Sequence, residues 1–280
     1  LGRREQGLKL APAALVRVGA CLRSLARYRE ATSAYRAAAA VAQEIGDRVE
    51  ELMARTGLAK LAIAQDRYHS ARTQLGRVID AARKDDLRYP LALALHDRGT
   101  LGNREGNLES ALIDLGESLT LQRDPAEQIR VLSDVGWTLR ALGALGVARD
   151  VLTFVREETA DADLRSSATI NLMDVAADQE QWDVFDHWRA DLEATSLSPY
   201  RCCEFLVTLA EGLTVRGLET ESHATYHALR DTARRHDLHE FERLAQRALD
   251  GEHVSRTTPQ PELPLPPRCR PALDAIRERV

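Results

Sequence analysis

The sequence is poor in aromatic residues, which make up 5% of its 280 residues, and it has few of the β-branched runs that feed β-sheets. Alanine and leucine dominate instead, and both favour helices. No apolar run reaches the roughly 18–20 residues that a membrane-spanning helix needs, and the start carries no signal-peptide pattern. We therefore expect an all-α, cytoplasmic protein with no membrane partner. Lysine occurs only at Lys9, Lys60 and Lys84, a bias that indicates a GC-rich bacterial genome.

Candidate metal ligands are few. The four cysteines are Cys21, Cys202, Cys203 and Cys269. Their spacing matches no zinc pattern, so we expect free, buried thiols in a reducing cytoplasm. His223 and His227 lie four residues apart on a predicted helix, but no third ligand or catalytic glutamate accompanies them. We predict no metal site.

The motifs of phosphate and acyl chemistry are missing. The sequence contains neither GxxxxGK[ST] nor GxGxxG after a strand, and it has no GxSxG elbow. We therefore predict no cofactor, no catalytic residues and no enzymatic activity.

Charge is spread along the chain without a dense basic patch. Residues 1–141 hold 22 Lys and Arg against 18 Asp and Glu, and residues 142–280 hold 16 against 25, for a net charge of −5. Interspersed signs argue against direct nucleic-acid binding by this segment. The gradient from basic to acidic fits an elongated scaffold that orients a partner.

An internal repeat is the main signal in the sequence. Apolar residues recur at three- and four-residue spacing, which predicts amphipathic helices, and a small residue recurs every 37–40 residues. This helix-B small position falls at Ala31, Ala71, Ala111, Ala148, Phe185 and Ser222. A second small position, on the preceding helix, includes Gly19, Ala59, Gly99, Gly136 and Ala210. Stacked helical hairpins explain both series, because a single hairpin cannot bury its own apolar face.

These landmarks resemble the tetratricopeptide repeat over about residues 12–235, with a longer period than the family's usual 34 or so. The resemblance implies a right-handed superhelical α-solenoid of about six hairpins, here of a long-hairpin bacterial type. Residues 1–250 would form the array, with repeats starting near 12, 52, 92, 129, 166 and 203 and a capping helix at 239–249. Residues 251–271 are rich in proline and predict a linker, and 272–280 a short helical tail.

The resemblance also places a concave groove along the first helix of each hairpin, which would hold a protein or peptide segment. The predicted partner-binding residues are Arg23, Lys60, His96, Asn103, Arg104, Arg130, Trp137 and Arg140. The later repeats would contribute Asp174, Asp178, Glu204 and Glu211. Trp137 among arginines has the composition of a binding hot spot, and packing between neighbouring helices is the alternative for this residue.

The leading hypothesis is therefore a scaffold or sensor module that binds protein or peptide. Since the sequence begins at Leu1, we expect it to be part of a larger bacterial regulatory protein. The alternative is a self-associating module that uses Trp182, Phe185 and Trp188, although these side chains could instead fill the core. An enzyme on a helical scaffold is the third hypothesis. The C-terminal tail is a further candidate occupant of the groove.

Overall fold

The computed structural model describes residues 11–252 and 266–280, and every regular element among them is helical, which confirms the all-α prediction. The helices are α1 (Pro12–Ser24), α2 (Tyr28–Ile45), α3 (Arg48–Ala64), α4 (Tyr68–Lys84), α5 (Arg88–Arg104), α6 (Leu108–Leu121), α7 (Pro125–Ala141), α8 (Leu145–Glu158), α9 (Ala162–Asp178), α10 (Trp182–Glu193), α11 (Pro199–Val215), α12 (Glu219–Arg235), α13 (His239–Leu249) and α14 (Arg270–Arg277). A single 3₁₀ turn, Pro267–Cys269, precedes α14.

The chain divides into two compact units, Leu1–Gln122 and Arg123–Val280, where the sequence predicted one array. The first unit contains α1–α6 and the second contains α7–α14. Within each unit, consecutive helices pack as hairpins, and the first helices of neighbouring hairpins also touch. We call those first helices the A helices (α1, α3 and α5; α7, α9 and α11) and their partners the B helices.

From the second repeat onward, each A helix begins four residues before the position expected from the sequence. The added first turns carry no regular apolar periodicity, but several have a capping side chain. Asp47 accepts a hydrogen bond from the backbone N–H of Glu50, and Asp161 accepts from Asp163 and Leu164. Such caps satisfy backbone donors that a helix start leaves open.

Small residues on the A helices make room for large side chains on the B helices. A Cβ added to Gly19 would lie 2.8 Å from Tyr35, and one added to Gly136 would lie 2.6 Å from Cγ of Leu152. Each of these B-helix side chains is almost completely buried. The repeated glycine or alanine therefore sets the distance between the two helices of a hairpin.

The turn inside every hairpin has the same backbone conformation. One residue has a positive φ five positions before the helix-B small position, in each of the six hairpins. These residues are Ala26, Asp66, Gly106, Gly143, Glu180 and Gly217. Glycine adopts this conformation without strain, and other residues do so at a cost. The turns preserve the repeat even where the side chains diverge.

The two hairpins without a small alanine at the helix-B position use different solutions. Ser222 is buried, and its Oγ donates to the backbone carbonyl of Ala210 at 2.8 Å. Phe185 is fully buried and lies against Gly212 of the following A helix. The hydroxyl of Ser222 is therefore hydrogen-bonded in the core, and the ring of Phe185 fits because residue 212 has no side chain.

The end of the last hairpin of the second unit is covered by α13, a short amphipathic helix. In α13, Phe241 and Ala245 pack with Tyr226 and Leu229 of the preceding hairpin. The tail helix starts at Arg270, within the range predicted to be a linker, while residues 253–265 of that range lie outside the described residues. Four side chains of the tail are buried, namely Cys269, Ala272, Ala275 and Ile276. A helix of this length cannot bury them alone, so the tail packs on another part of the chain.

Among the described helices, none combines the length and the apolar character that a membrane span requires.

Candidate functional site

The predicted partner-binding residues lie on A helices of both units. We call the A-helix surface of α1, α3 and α5 the first A face, and that of α7, α9 and α11 the second A face. The first A face carries Arg23, Lys60, His96, Asn103 and Arg104, and the second carries Arg130, Trp137 and Arg140. The structure therefore separates them into two sets, each held within its own unit.

On the first A face, the basic residues are partly neutralised by the protein itself. Lys60 Nζ lies 3.0 Å from Oδ1 of Asp97 on the next A helix. Arg104 is exposed and lies within hydrogen-bonding reach of the Tyr68 hydroxyl. His96 and Asn103 are half-buried, and each makes contacts of its own. Arg23 is half-buried, and its Nε has no hydrogen-bond partner within the part of the chain that the structure describes.

On the second A face, Arg140 is the centre of a buried ion-pair cluster. Its side chain is only 13% exposed. Its Nε donates to Oδ2 of Asp178 at 2.6 Å, and its Nη1 lies 3.2 Å from Oδ2 of Asp174. Burial lowers the pKa of Arg140, but Asp174, Asp178 and Glu211 outweigh this effect and the pKa is raised. Arg140 is therefore a buried cation whose charge is matched by aspartates of α9. The sequence had suggested an arginine exposed in a binding groove.

The surroundings of Arg140 are net acidic. One arginine faces three carboxylates, and Thr208 Oγ1 donates to Oδ2 of Asp174 at 3.3 Å. Burial raises the pKa of the nearby Glu204 carboxyl. Arg201 lowers that pKa, but not enough to compensate, and Asp163 and Asp174 add to the increase. The three A helices of the second unit together carry seven Asp and Glu against four Arg, a formal excess of negative charge.

Trp137 lies on the same helix as Arg140, one turn before it. Its side chain is 36% exposed, and it is the exposed one of the three tryptophans. A tryptophan left this open offers an aromatic platform on the helix that also carries Arg140. Arg130, two turns further toward the start of α7, is 53% exposed, and its Nη1 lies 3.4 Å from Oε1 of Glu127.

The aromatic cluster proposed for self-association belongs mainly to the core. Phe185 is fully buried and packs edge-on against Trp182. Trp182 and Trp188 are half-buried and pack against the same core cluster. Each also has a guanidinium over its ring, Arg216 at 5.5 Å and Arg156 at 4.9 Å. Phe185 therefore fills the core, the alternative given with the self-association hypothesis, because its ring occupies the space left by Gly212. Self-association through Trp182 and Trp188 stays a prediction.

Several basic residues of the A helices pair with a carboxylate that lies about one repeat further along the sequence. Lys60 and Asp97 are 37 residues apart, and Arg140 and Asp178 are 38 apart, which is one repeat in each case. Arg48 and Asp85 follow the same rule, with Nε 2.8 Å from Oδ2. Opposite charges one repeat apart on equivalent helices therefore mark ties between neighbouring hairpins.

No group of three or more His, Cys, Asp or Glu in residues 11–252 and 266–280 is placed to hold a metal ion. All four cysteines are free thiols. Burial raises the pKa of Cys203 to about 11, with Cys202 and Glu204 adding to the shift. A thiol with that pKa is a poor nucleophile at neutral pH.

Comparison with known proteins agrees with the hairpin architecture. Residues 10–84 match the tetratricopeptide repeat family, and no curated protein matches the sequence. A putative kinesin light chain of Podospora anserina with nearly identical tetratricopeptide-like repeats is 15% identical, with a TM-score of 0.51 over 64% of this chain and 92% of that one. A Rap protein complexed with competence and sporulation factor is 13% identical, with a TM-score of 0.57 over 85% of this chain and 73% of that one.

A tetratricopeptide repeat protein from Parabacteroides merdae is 12% identical, with a TM-score of 0.55 over 97% of this chain and 100% of that one. At these identities the likeness concerns the fold alone. The family match over residues 10–84, the six equivalent hairpins and these structures show that the chain shares the tetratricopeptide repeat fold.

Proposed function

We propose that this protein is a non-catalytic scaffold that binds a protein or peptide segment on its second A face. In this proposal it belongs to a larger bacterial regulatory protein of the cytoplasm. The observation that carries the proposal is the exposure of Trp137, 36%, on the helix that also holds Arg140. An indole with about a third of its surface exposed can serve as an anchor for a partner.

The charge of the second A face suggests the chemistry of the bound segment. Asp174, Asp178 and Glu211 surround Arg140, and the A helices of this unit carry more Asp and Glu than Arg. A segment with an arginine or lysine beside an apolar residue would supply positive charge and cover the Trp137 ring. A cation over a tryptophan ring is attractive by about 0.5–2 kcal/mol, depending on its desolvation.

The first A face is proposed as a second contact surface, through Arg23, His96, Asn103 and Arg104. Binding of the C-terminal tail or of a second copy of the chain stays a prediction from the sequence. The Rap protein was solved with a competence and sporulation factor bound. A factor bound to a protein of this fold supports a role in regulation here, although the low identity transfers no binding residue.

The proposal is tested with a pair of labelled peptides that differ only in charge. One contains arginine and leucine, and the other has glutamate at every arginine. We expect the basic peptide to bind the full chain, measured by fluorescence anisotropy. Trp137→Ala should weaken its binding by at least about tenfold, the loss typical of a hot-spot residue.

Val184→Ala is the matched control, because Val184 is also an exposed apolar residue of the second unit but lies on a B helix. It should bind the basic peptide as the parent chain does. Equal affinity of the Trp137→Ala and Val184→Ala variants, at equal thermal stability, would remove Trp137 from the site and reject the proposal.

A further inference from the structure

A second candidate site lies in the first unit, on the side formed by the B helices. It is a groove of about 340 Å³ between α2 and α4, with residues of α3 between them. Three arginines and two glutamines line it, namely Arg36, Gln43, Arg55, Gln74 and Arg77. Its apolar part is formed by alanines and by Leu58 and Val78. We call this the B groove.

The B groove carries positive charge that the protein does not neutralise. None of its described lining residues is acidic. Arg55 is paired, because its Nη2 lies 2.6 Å from Oε1 of Glu51. Glu51 itself is buried and also accepts from Gln43 and Arg48. Arg36 and Arg77 are exposed, and neither forms an ion pair with any carboxylate of the described chain.

The next groove of the same unit, between α4 and α6, shows how such arginines are normally satisfied. There Arg83 Nη2 lies 2.6 Å from a carboxylate oxygen of Glu117. Arg98 holds Asp114 through two hydrogen bonds, of 2.6 and 2.7 Å. Two-point pairing of this kind is the strong form of an arginine–carboxylate contact.

The repeat allows these positions to be compared directly. Because the helix-B small position moves by 40 residues from Ala31 to Ala71 and again to Ala111, Arg83 corresponds to Gln43 and Glu117 corresponds to Arg77. By the same shift, the Arg98–Asp114 pair is replaced by Leu58 and Gln74. At the equivalent positions the B groove therefore lacks both ion pairs of the next groove, and Arg77 stands where that groove has Glu117. Its positive charge comes from Arg36, Arg55 and Arg77.

We infer that the B groove binds an acidic segment of a partner protein, whose carboxylates pair with Arg36 and Arg77. The segment lays an aliphatic side chain on Leu58, beside Ala39 and Ala40. This binding site is on different helices from the second A face and requires a ligand of opposite charge. The inference is therefore independent of the function proposed above, and each can fail without the other.

The opposing expectation is that Arg36 and Arg77 are solvated surface arginines that bind nothing. Isolated surface charges contribute little, and only their convergence over an apolar floor makes a site. A peptide can tell these apart, because a convergent site discriminates charge and pattern, whereas scattered arginines respond only to net charge.

The test uses the full chain and a fluorescein-labelled peptide of glutamate and leucine, with a counterpart that has lysine at every glutamate. Fluorescence anisotropy should show binding of the acidic peptide only. The double variant Arg36→Gln, Arg77→Gln should lose at least about tenfold in affinity, as expected for charge-assisted hydrogen bonds. Both side chains are exposed, so the fold should be unaffected.

The control removes the same charge elsewhere. Arg29 of α2 and Arg243 of α13 are exposed and lie outside the groove, so Arg29→Gln, Arg243→Gln should change the affinity by no more than about twofold, through long-range electrostatics alone. An equal loss in both double variants, or no loss in either, would overturn the inference. The acidic peptide failing to bind the parent chain would overturn it as well.

A second variant closes the groove from within. Gln43→Arg with Arg77→Glu installs, at the equivalent positions, the ion pair that Arg83 and Glu117 form between α4 and α6. This variant should fold as stably as the parent chain and should not bind the acidic peptide. Retained binding would show that the peptide sits elsewhere and would contradict the inference.

Discussion

Phe185 of α10 occupies space that exists because residue 212 of α11 is a glycine. A Cβ added to Gly212 would lie 2.5 Å from Cζ of Phe185, far inside a normal carbon–carbon contact. Phe185 stands at the helix-B position where four other hairpins have alanine. The large residue in one hairpin and the small residue in the next are therefore a complementary pair.

The first prediction is that Gly212→Ala destabilises the protein by about 1–3 kcal/mol, the range for an overpacked core. The change would normally favour a helix, since alanine exceeds glycine in helix propensity by about 1 kcal/mol. Gly76→Ala is the control, because nothing lies within 4 Å of a Cβ there, and it should be stabilising. Urea unfolding measures both, and a stable Gly212→Ala variant would contradict the packing argument.

A double-mutant cycle sharpens this prediction. In a Phe185→Leu background, Gly212→Ala should cost less than it does in the parent chain, with a coupling of about 1–2 kcal/mol. Additive effects of the two changes would show that Phe185 and Gly212 do not share space.

The hairpins were predictable because their determinants are local and periodic. The sequence alone shows the small residues at Gly19 and Ala31 and the aromatic Tyr35, whose spacing predicts a helical hairpin. The first turns of the A helices were not predictable in this way. They are set by caps such as Asp161, which do not show in the apolar periodicity. The tail helix was placed two residues late because Pro271 falls in its first turn, where proline is tolerated.

The candidate site was less predictable than the fold. Arg140 and Arg130 look alike in sequence, yet one is buried between two aspartates and the other is exposed. That difference depends on how neighbouring A helices place their side chains, which periodicity does not encode. Once the repeat is known, the 38-residue separation of Arg140 and Asp178 becomes a usable signal.

The second prediction concerns the buried cluster on the second A face. Arg140→Ala should destabilise the protein by about 3–5 kcal/mol, because it leaves Asp174 and Asp178 buried without their cation. Arg149→Ala is the control, since Arg149 and Asp150 are both largely exposed, and it should cost less than about 0.5 kcal/mol. Denaturant unfolding gives both values, and similar losses in the two variants would show that Arg140 is an ordinary surface residue.

The third prediction is a pH dependence at Glu204. Because the pKa of its carboxyl is raised in the folded state, mainly by burial, the folded chain binds more protons than the unfolded chain above the ordinary glutamate pKa of about 4.3. Stability is therefore lost as the pH rises through this window. Glu204→Gln cannot ionise, so its stability relative to the parent chain should increase from about pH 4 to pH 7.

Urea unfolding at several pH values measures this difference, with Glu219→Gln as the control. Glu219 is exposed at the start of α12, so its variant should track the parent chain at every pH. If the advantage of Glu204→Gln instead shrank with rising pH, ionised Glu204 would be stabilising and the burial argument would fail.

The fourth prediction uses Cys269 as a reporter for the packing of the tail. Cys269 and Ile276 are almost completely buried, while Cys21 is exposed. Burial also raises the pKa of the Cys269 thiol, so alkylation of the folded chain should modify Cys21 first and Cys269 slowly. Ile276→Asp places a charge in the buried face of α14 and should speed labelling of Cys269 by at least about tenfold, as expected for loss of a locally folded segment. Asp274→Asn is the control, because Asp274 is an exposed residue of the same helix, and it should leave the labelling rate of Cys269 unchanged.

Mass spectrometry measures the labelling of each of the four cysteines. If Ile276→Asp did not change the labelling rate of Cys269, the thiol would be protected without the packing of α14, and the prediction would fail.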